Sequence, residues 1–285
     1  MIGKTDMDSL ITGHSLKSIR SLAKKSLLAL PAPILVLYLW HLGVAHQWVL
    51  PLGIKMGYLS SPGEVLRRLI DLVAGGIIND TFSGTLVLHL WASTQRALFG
   101  FALATIIGVP LGIIMGRIAL AYDMLDPMLN LLRPIPVTAW VPLALLIIGF
   151  GDKATILLVF IACIFPILIN TISGVKQVPE RLIEASSMLG TPKIQQLYKV
   201  VFPAALQSII SGLRLALGQA WVILVVAEQV GISIGLGSLI TQARDMSKTD
   251  LVIATMVIIG LVGFIADKLL LLIMKIVTRN RPTLT

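Results

Sequence analysis

The sequence predicts an all-α membrane protein, a polytopic bundle of six transmembrane helices with both termini in the cytoplasm. Hydrophobic residues make up 56% of the 285 residues and charged residues 13%, against roughly 25% charged residues in soluble domains. The mean hydropathy is +0.92. Most of the apolar runs are long enough to cross roughly 30 Å of hydrocarbon as a helix. Too little polar sequence is left for a soluble enzymatic domain.

The apolar runs predict six spans between a basic cytoplasmic leader at residues 1–25 and a short tail at residues 281–285. The spans lie within a transmembrane domain at residues 26–280, at 27–46, 97–116, 134–150, 154–173, 204–230 and 251–276. On this topology 14 of the 23 Lys and Arg residues face the cytoplasm and six face outward. That bias supports the orientation. The positive charge therefore does not indicate nucleic-acid binding, and no surface of interleaved aromatic and basic residues suggests base stacking.

No enzyme site emerges from the sequence, so we predict no catalytic residue, no metal site and no cofactor in this chain. Cys163 is the single cysteine and lies in an apolar run, and the four His residues have no metal-ligand spacing. The phosphate-binding loop and the serine nucleophile elbow are both missing from the sequence. If ATP drives this protein, another subunit binds the nucleotide.

Small residues recur every fourth position along the second span. They predict a close helix contact, because a glycine lets a neighbouring backbone approach. The candidates for this packing role are Gly108, Gly112 and Gly116, preceded by Gly100 and Ala104.

The third span contains three prolines in nine residues, at positions 134, 136 and 142. They predict a broken helix, which a membrane tolerates where protein or a water-filled cavity covers it. Pro136 and Trp140 are therefore candidates for the wall of a translocation pathway.

The fifth span carries Arg214, Trp221 and Glu228 at intervals of seven, which returns each to nearly the same helix face. Arg214 and Glu228 lie about 21 Å apart along the axis, so each needs another partner. Two interpretations remain open. The charges are buried structural pairs, or they line a pathway that attracts an anionic substrate. We expect Arg96 to lie near the membrane interface with its side chain extended toward water.

A polar segment at residues 178–203 separates the fourth and fifth spans and predicts two short helices. Leu182, Ala185 and Leu189 form the apolar stripe of the first helix, and Gly190 ends it. Thr191 and Pro192 begin the second helix, whose stripe includes Ile194 and Tyr198, and Pro203 begins a new helix. Neither short helix can cross the membrane. An ordinary surface hairpin is one interpretation of this segment.

The hairpin also resembles the cytoplasmic signature of ABC importer permeases, a Glu-Ala-Ala triplet followed by Gly and an Ile-x-Leu-Pro ending. Glu184-Ala185-Ser186, Gly190 and Val200-Val201-Phe202-Pro203 match it, with Ser186, Val200 and Phe202 as substitutions. Four further motifs resemble the taurine, aliphatic sulfonate and nitrate group of these permeases, at residues 132–136, 140–143, 212–214 and 226–228.

The resemblance implies a type I ABC importer permease in a bacterial inner membrane, working by alternating access. It implies a homodimer, two cytoplasmic ATPases that bind ATP and Mg²⁺, and an external or periplasmic substrate-binding protein. The residues that would dock on the ATPase are Glu184, Ala185, Ser186, Gly190, Thr191, Pro192 and Pro203. The substrate expected is taurine or another sulfonate, with nitrate, bicarbonate or a small aromatic or heterocyclic compound as the alternative. A secondary transporter or channel, and a membrane scaffold without transport, are more distant alternatives.

Overall fold

The computed structural model describes residues 31–278, which are mostly helical. The predicted leader, the first four residues of the first predicted span and the tail lie outside the described residues. The contacts within the chain define two compact units, with the boundary along the sequence between Arg68 and Leu69. The single transmembrane domain at residues 26–280 therefore stays a prediction.

The first unit contains helix α1, Pro31–Ala45, and a small antiparallel hairpin of β1, Val49–Leu50, and β2, Ile54–Lys55. Helix α2, Pro62–Ala74, begins in this unit with a capping box. The Ser61 amide donates to Glu64 Oε2 at 2.7 Å, and the Glu64 amide donates to Ser61 Oγ at 3.3 Å. These two bonds satisfy amide groups that a helix start otherwise leaves without partners.

The second unit is a helical bundle. In chain order its helices are α3, Leu86–Arg117; α4, Ala119–Leu132; α5, Trp140–Ile148; α6, Asp152–Lys176; α7, Glu180–Met188; α8, Lys193–Gln196; α9, Phe202–Gly231; α10, Leu236–Asp245; and α11, Thr249–Thr278. Within the described residues, four helices are long and apolar enough to cross a membrane, or five if one bent pair counts as a span. Helix α1 is apolar but shorter. The count of six spans and the cytoplasmic termini stay predictions.

Helix α6 lies between α3 and α9, and glycine allows the close approach on both sides. On the α3 side, a Cβ added at Gly112 would lie 2.7 Å from Thr171 Cβ, and one at Gly116 would lie 2.6 Å from Val175 Cβ. Gly108 meets Ile167 in the same way, at 2.9 Å. The predicted glycine repeat is thus the α3 face that contacts α6.

The contact between α6 and α9 is also made close by glycine, and here each helix contributes one. A Cβ at Gly174 of α6 would lie 2.5 Å from Ser208 Cβ, and one at Gly212 of α9 would lie 2.7 Å from Asn170 Cβ. In lipid there is little hydrophobic drive between helices, so such close van der Waals contact carries much of the association. The three helices α3, α6 and α9 therefore form the core of the bundle.

The proline-rich third run is broken, as the sequence predicts. Helix α4 and the segment Val137–Ile148 meet at 75° across residues 133–136. Pro136 lies at this corner and is exposed. Trp140 begins α5 and, with Leu157 and Ile161 of α6, lines an apolar cavity. The two residues predicted for a pathway wall thus occupy different surroundings.

Helix α9 begins at Phe202 with Pro203 in its first turn, as predicted, but it is not separate from α8. One continuous helix of 39 residues runs from Lys193 to Gly231. It passes through a π-helical turn, Leu197–Val201, in which the Phe202 amide donates to Leu197 O. A proline inside an α-helix clashes with the carbonyl four residues earlier, and the wider turn occurs immediately before Pro203. The helix therefore continues through a position that sequence rules treat as a boundary.

The outward faces of α3 and α11 are apolar, which fits contact with lipid. On α11 the exposed side chains include Leu261, Phe264 and Leu272, each more than half exposed. On α3 they include Leu98, Phe99 and Ile106, which is 70% exposed. The exposed residues of α9 differ from these, as described below.

We predict that Gly112→Ala destabilises the protein and that Gly260→Ala does not. The added methyl at position 112 meets Thr171, whereas no neighbouring atom in the described part of the chain lies within 4 Å of a Cβ added at Gly260. Overpacking of this kind lowers the free energy of unfolding by about 1–3 kcal/mol. The measurement is the unfolding temperature of each variant in detergent, followed by tryptophan fluorescence. Equal unfolding temperatures for the two variants would contradict the glycine contact.

Candidate functional site

The hairpin at residues 178–203 turns at Gly190, whose φ is +74°. This left-handed conformation is readily adopted by glycine and rarely by other residues. The Gly190 amide donates to Ser187 O at 2.9 Å, and the Thr191 amide donates to Ser186 O at 3.1 Å. These bonds close the end of α7, as a glycine after a helix commonly does.

A buried glutamine joins the two arms of the hairpin. The side-chain amide of Gln196 donates from Nε2 to Ser187 Oγ at 2.8 Å and to Thr191 O at 3.0 Å. Gln196 is 9% exposed, so these bonds are shielded from water. The turn therefore has a fixed geometry, and Gln196 belongs to it although its sequence position indicates the polar face of α8.

The tip of the hairpin carries a cluster of exposed apolar side chains, which we call the apolar tip: Met188, 87% exposed; Leu189, 84%; Ile194, 75%; and Tyr198, 54%. The predicted stripe of α7 is therefore wrong as a packing face. Leu189 points away from the bundle, while Ile183 and Ser186 face it. The tip lies on a rigid support and has nothing within the described residues to cover it.

The residues predicted to dock on an ATPase fall around this tip with different exposure. Glu184, Ala185, Gly190 and Pro192 are exposed, Thr191 and Pro203 are half-buried, and Ser186 is buried. Ser186 Oγ donates to Ile183 O at 2.8 Å. Ser186 thus stabilises α7 internally, whereas the exposed members are accessible to a partner.

Two contacts join the base of the hairpin to the corner between α3 and α4. The Lys176 ammonium lies 3.1 Å from the centroid of the Tyr122 ring, a cation–π contact. Arg117 Nη1 lies 3.8 Å from Glu180 Oε1. We call this end of the bundle the hairpin end.

A buried polar cluster lies at the opposite end of α3, α6 and α9. Glu228 is 0% exposed. Its carboxylate accepts bonds from Arg96 Nη1 at 2.7 Å, from Ser93 Oγ at 2.9 Å and from the Gly237 amide at 2.9 Å. These donors satisfy both oxygens of the buried carboxylate. It also lies at the N-terminus of α10, where the helix dipole favours a negative charge.

Arg96 links three elements in this cluster. Besides Glu228, it donates from Nε to Asp152 Oδ1 at 2.7 Å and from Nη1 to Ile234 O at 2.7 Å. Arg96 is 7% exposed. The expectation that its side chain extends into water is therefore wrong, because the guanidinium is held by the buried Glu228 of α9 and by Asp152 of α6, whose own side chain is 66% exposed.

The loop before α10 approaches the cluster closely. His89 Nδ1 lies 3.1 Å from the Gly235 amide nitrogen, and Ser93 Oγ accepts the Leu236 amide at 2.8 Å. A Cβ at Gly235 would lie 2.5 Å from Glu228 Cδ, and one at Gly237 would lie 2.3 Å from Val225 O. Glycine at these two positions is what lets the loop lie over Glu228.

The three predicted pathway residues of the fifth span do not share one environment. Trp221 and Glu228 are buried, and the Trp221 indole nitrogen has no hydrogen-bond partner within residues 31–278. Arg214 is exposed and pairs with Asp267 of α11, with Nε to Oδ1 at 3.0 Å and Nη2 to Oδ2 at 3.3 Å. For Glu228 the geometry favours the structural interpretation, and for Arg214 both interpretations stay open.

A polar stripe runs along part of the exposed face of α9. Gln207, Ser211 and Arg214 are exposed and fall within an arc of roughly 60° on a helical wheel, beside the exposed apolar side chains of Leu215 and Val222. The exposed faces of α3 and α11 carry mainly apolar side chains. A polar face in a spanning helix normally contacts protein or water, because uncovered polar groups are costly in hydrocarbon.

The cluster of His89, Ser93 and Arg96 was not identified from the sequence. Their spacing indicates it, because positions i, i+4 and i+7 on α3 share one face of an apolar helix. Asp152, Gly235 and Gly237 join them through tertiary structure. Within the described residues, no group of three or more His, Cys, Asp and Glu side chains is arranged to hold a metal ion.

We predict that Glu228→Gln lowers the free energy of unfolding by about 3–5 kcal/mol, because it leaves Arg96 buried without its full counter-charge. Arg244→Gln is the matched control, since the Arg244–Asp245 pair is 69% and 63% exposed and such pairs contribute about 1 kcal/mol or less. Unfolding temperatures in detergent compare the two. Adding Arg96→Gln to Glu228→Gln should recover part of the loss, and strict additivity would contradict direct pairing.

Known proteins resemble this chain over most of its length. It is 40% identical to an archaeal protein of Methanocaldococcus jannaschii named as an ABC transporter permease, over 88% of this chain and 91% of the relative. It is 35% identical to a nitrate import permease of Synechocystis, over 74% and 77%. It is 32% identical to the taurine transport system permease of Escherichia coli, over 86% of each chain.

A solved structure shares the fold at lower identity. The chain matches an inward-facing structure of the MetNI methionine ABC transporter with a TM-score of 0.56 and 21% identity, over 68% of this chain and 98% of the other. The family model described as the binding-protein-dependent transport system inner membrane component matches residues 108–281. That range includes the hairpin, Arg214, Asp267 and Glu228. The chain belongs to the family of inner membrane components of binding-protein-dependent transport systems.

Proposed function

We propose that the chain is the permease subunit of an ATP-driven importer and forms the pathway for a small anion, by alternating access between the two sides of the membrane. The observation that carries the proposal is the apolar tip on a rigid hairpin. The energy source is a separate ATPase subunit, because no nucleotide-binding motif occurs in this sequence.

The apolar tip has the properties of a docking surface. Four large apolar side chains are more than half exposed on a short hairpin outside the spans, where water would otherwise contact them. Exposed apolar patches of this kind commonly mark protein interaction sites. The Gln196 bonds hold the hairpin in one conformation, so docking does not require the turn to be ordered first.

The partner of the hairpin is an ABC ATPase in this proposal, with two ATPases bound to two copies of the permease. Glu184, Ala185, Gly190 and Pro192 lie exposed beside the apolar tip and complete the contact. An external or periplasmic binding protein delivers the substrate on the other side. The description of the family as binding-protein-dependent supports that part.

The pathway follows the polar stripe of α9. The Arg214 side chain lies there, paired with Asp267 but 44% exposed, and its guanidinium offers further N–H donors to an oxyanion. Because α9 is continuous with the second arm of the hairpin, a movement of the hairpin on nucleotide binding would also move this stripe. The base contacts at Tyr122 and Glu180 would carry the same movement to α3 and α4.

The substrate we favour is taurine or another sulfonate, with nitrate or bicarbonate as the alternative and a small aromatic or heterocyclic compound as a further one. The taurine and nitrate permeases among the relatives support a substrate that carries a sulfonate or another oxyanion group. Arg214 suits all three anions, since a guanidinium binds planar or tetrahedral oxyanions through several N–H groups.

We predict that proteoliposomes containing the permease, its ATPase and its binding protein accumulate the substrate with ATP inside and not without it. The assay is uptake of radiolabelled taurine, nitrate or bicarbonate in parallel. A secondary transporter or channel would move the substrate without the ATPase, and a scaffold would move none. Uptake that ignores ATP would contradict the proposal.

We also predict that Leu189→Glu abolishes co-purification with the ATPase and lowers ATP-dependent uptake at least about tenfold, since a charge replaces an apolar contact at the centre of the interface. The fold should survive, because Leu189 is 84% exposed. Gln177→Glu is the matched control, since it adds the same charge at an exposed position just before the hairpin. Unchanged co-purification of the Leu189 variant would exclude the apolar tip as the docking surface.

A further inference from the structure

We propose that Arg214 and Asp267 form an anion-exchange site, in which an incoming sulfonate, nitrate or bicarbonate displaces Asp267 from the guanidinium. This inference rests on the proposed function and adds a second residue, Asp267, and its role to the pathway. In this inference Asp267 competes with the substrate anion for the Arg214 guanidinium, and this competition allows the substrate to dissociate.

The geometry of the pair differs from that of the buried cluster. The Arg214 side chain is 44% exposed and the Asp267 side chain 33% exposed, whereas Arg96 and Glu228 are enclosed. Asp267 uses one N–H at Nε and one at Nη2, at 3.0 and 3.3 Å. An arginine has five N–H donors, so three lie outside this pair. The Arg214 guanidinium can therefore contact a second anion on its exposed side.

Open space lies next to the pair. Helices α9 and α11 run antiparallel, so Gly218 and Gly263, each four residues from the pair, lie at the same height about 6 Å away. Within the described residues, no side chain lies within 4 Å of a Cβ added at either glycine, and Gly218 is exposed while Gly263 is half-buried. Both glycines lie within about 40° of the pair on their helices. The side of the pair toward the buried polar cluster is therefore not filled by side chains.

The location argues against a purely structural pair facing lipid. Arg214 lies on the polar stripe of α9, with Ser211 one turn away. Charged groups exposed to the bilayer centre are costly and normally face protein or water. The two charges neutralise each other, yet their exposed polar atoms still require water or a ligand.

Asp267 solves a problem that a lone arginine would create. Opposite charges in contact attract strongly where little water screens them, so an unpaired guanidinium would retain an anion. With Asp267 present, binding exchanges one carboxylate for one substrate oxyanion. The net gain is small, and Asp267 returns when the substrate departs. Transport requires this weak binding, because a tightly held substrate is released slowly.

The test measures anion affinity and uptake in Asp267→Asn, Asp267→Glu and Arg214→Gln. Binding of methanesulfonate and of nitrate to the intact permease–ATPase complex in nanodiscs is followed by calorimetry in chloride-free gluconate buffer. We expect Asp267→Asn to bind the better of the two probes at least about tenfold more tightly and to show a lower maximal uptake rate. Arg214→Gln should lose binding, and Asp267→Glu should resemble the wild type.

The competing outcomes separate this inference from the proposed function. If the wild type shows ATP-dependent uptake but Asp267→Asn has unchanged or weaker anion affinity, the exchange site is wrong and the importer function stands. If wild-type uptake ignores ATP, the proposed function fails. Gly218→Leu provides a second test that does not alter a charge. The added side chain enters the open space, so it should weaken probe binding at least about fivefold at an unchanged unfolding temperature, and unchanged binding would overturn the site.

Discussion

The close approach of α6 to α3 and α9 is the contact on which the rest of the structure depends. Lipid offers little hydrophobic drive for helix association, so these three helices adhere through near-backbone contact at glycine. Gly112 and Gly116 on one side and Gly174 and Gly212 on the other leave no room for a methyl group. Because the contacts admit one register, they also place Arg96 beside Asp152 and Glu228 at the far end.

The two charged pairs in the bundle differ in burial, and this difference indicates different roles. Arg96 and Glu228 are enclosed and hydrogen-bonded on several sides, which suits a permanent junction between helices and the loop before α10. Arg214 and Asp267 remain partly accessible and meet through two bonds. A buried pair with many partners is costly to open, whereas a half-exposed pair can exchange one partner for another.

Much of the architecture could be predicted from the sequence, because it depends on patterns within one helix. The glycine repeat of α3, the break around Pro136 and the turn at Gly190 are local in this sense. The partners of Arg214 and Glu228 could not be predicted, since periodicity defines a helix face but not its neighbour. The stripe containing Leu189 failed for another reason. An apolar stripe indicates burial without saying whether the same chain or another protein supplies the cover.

The 39-residue helix that contains both the second arm of the hairpin and Glu228 has a mechanical consequence. At 1.5 Å per residue it is about 58 Å long. Under the proposed docking on an ATPase, a movement of the hairpin would therefore reach the Glu228 end as a tilt of one helix. The π-helical turn at Leu197–Val201 interrupts its α-helical hydrogen bonding near the hairpin end. Flexibility at this turn would absorb small movements of the docked partner, while a larger movement would still tilt the whole helix.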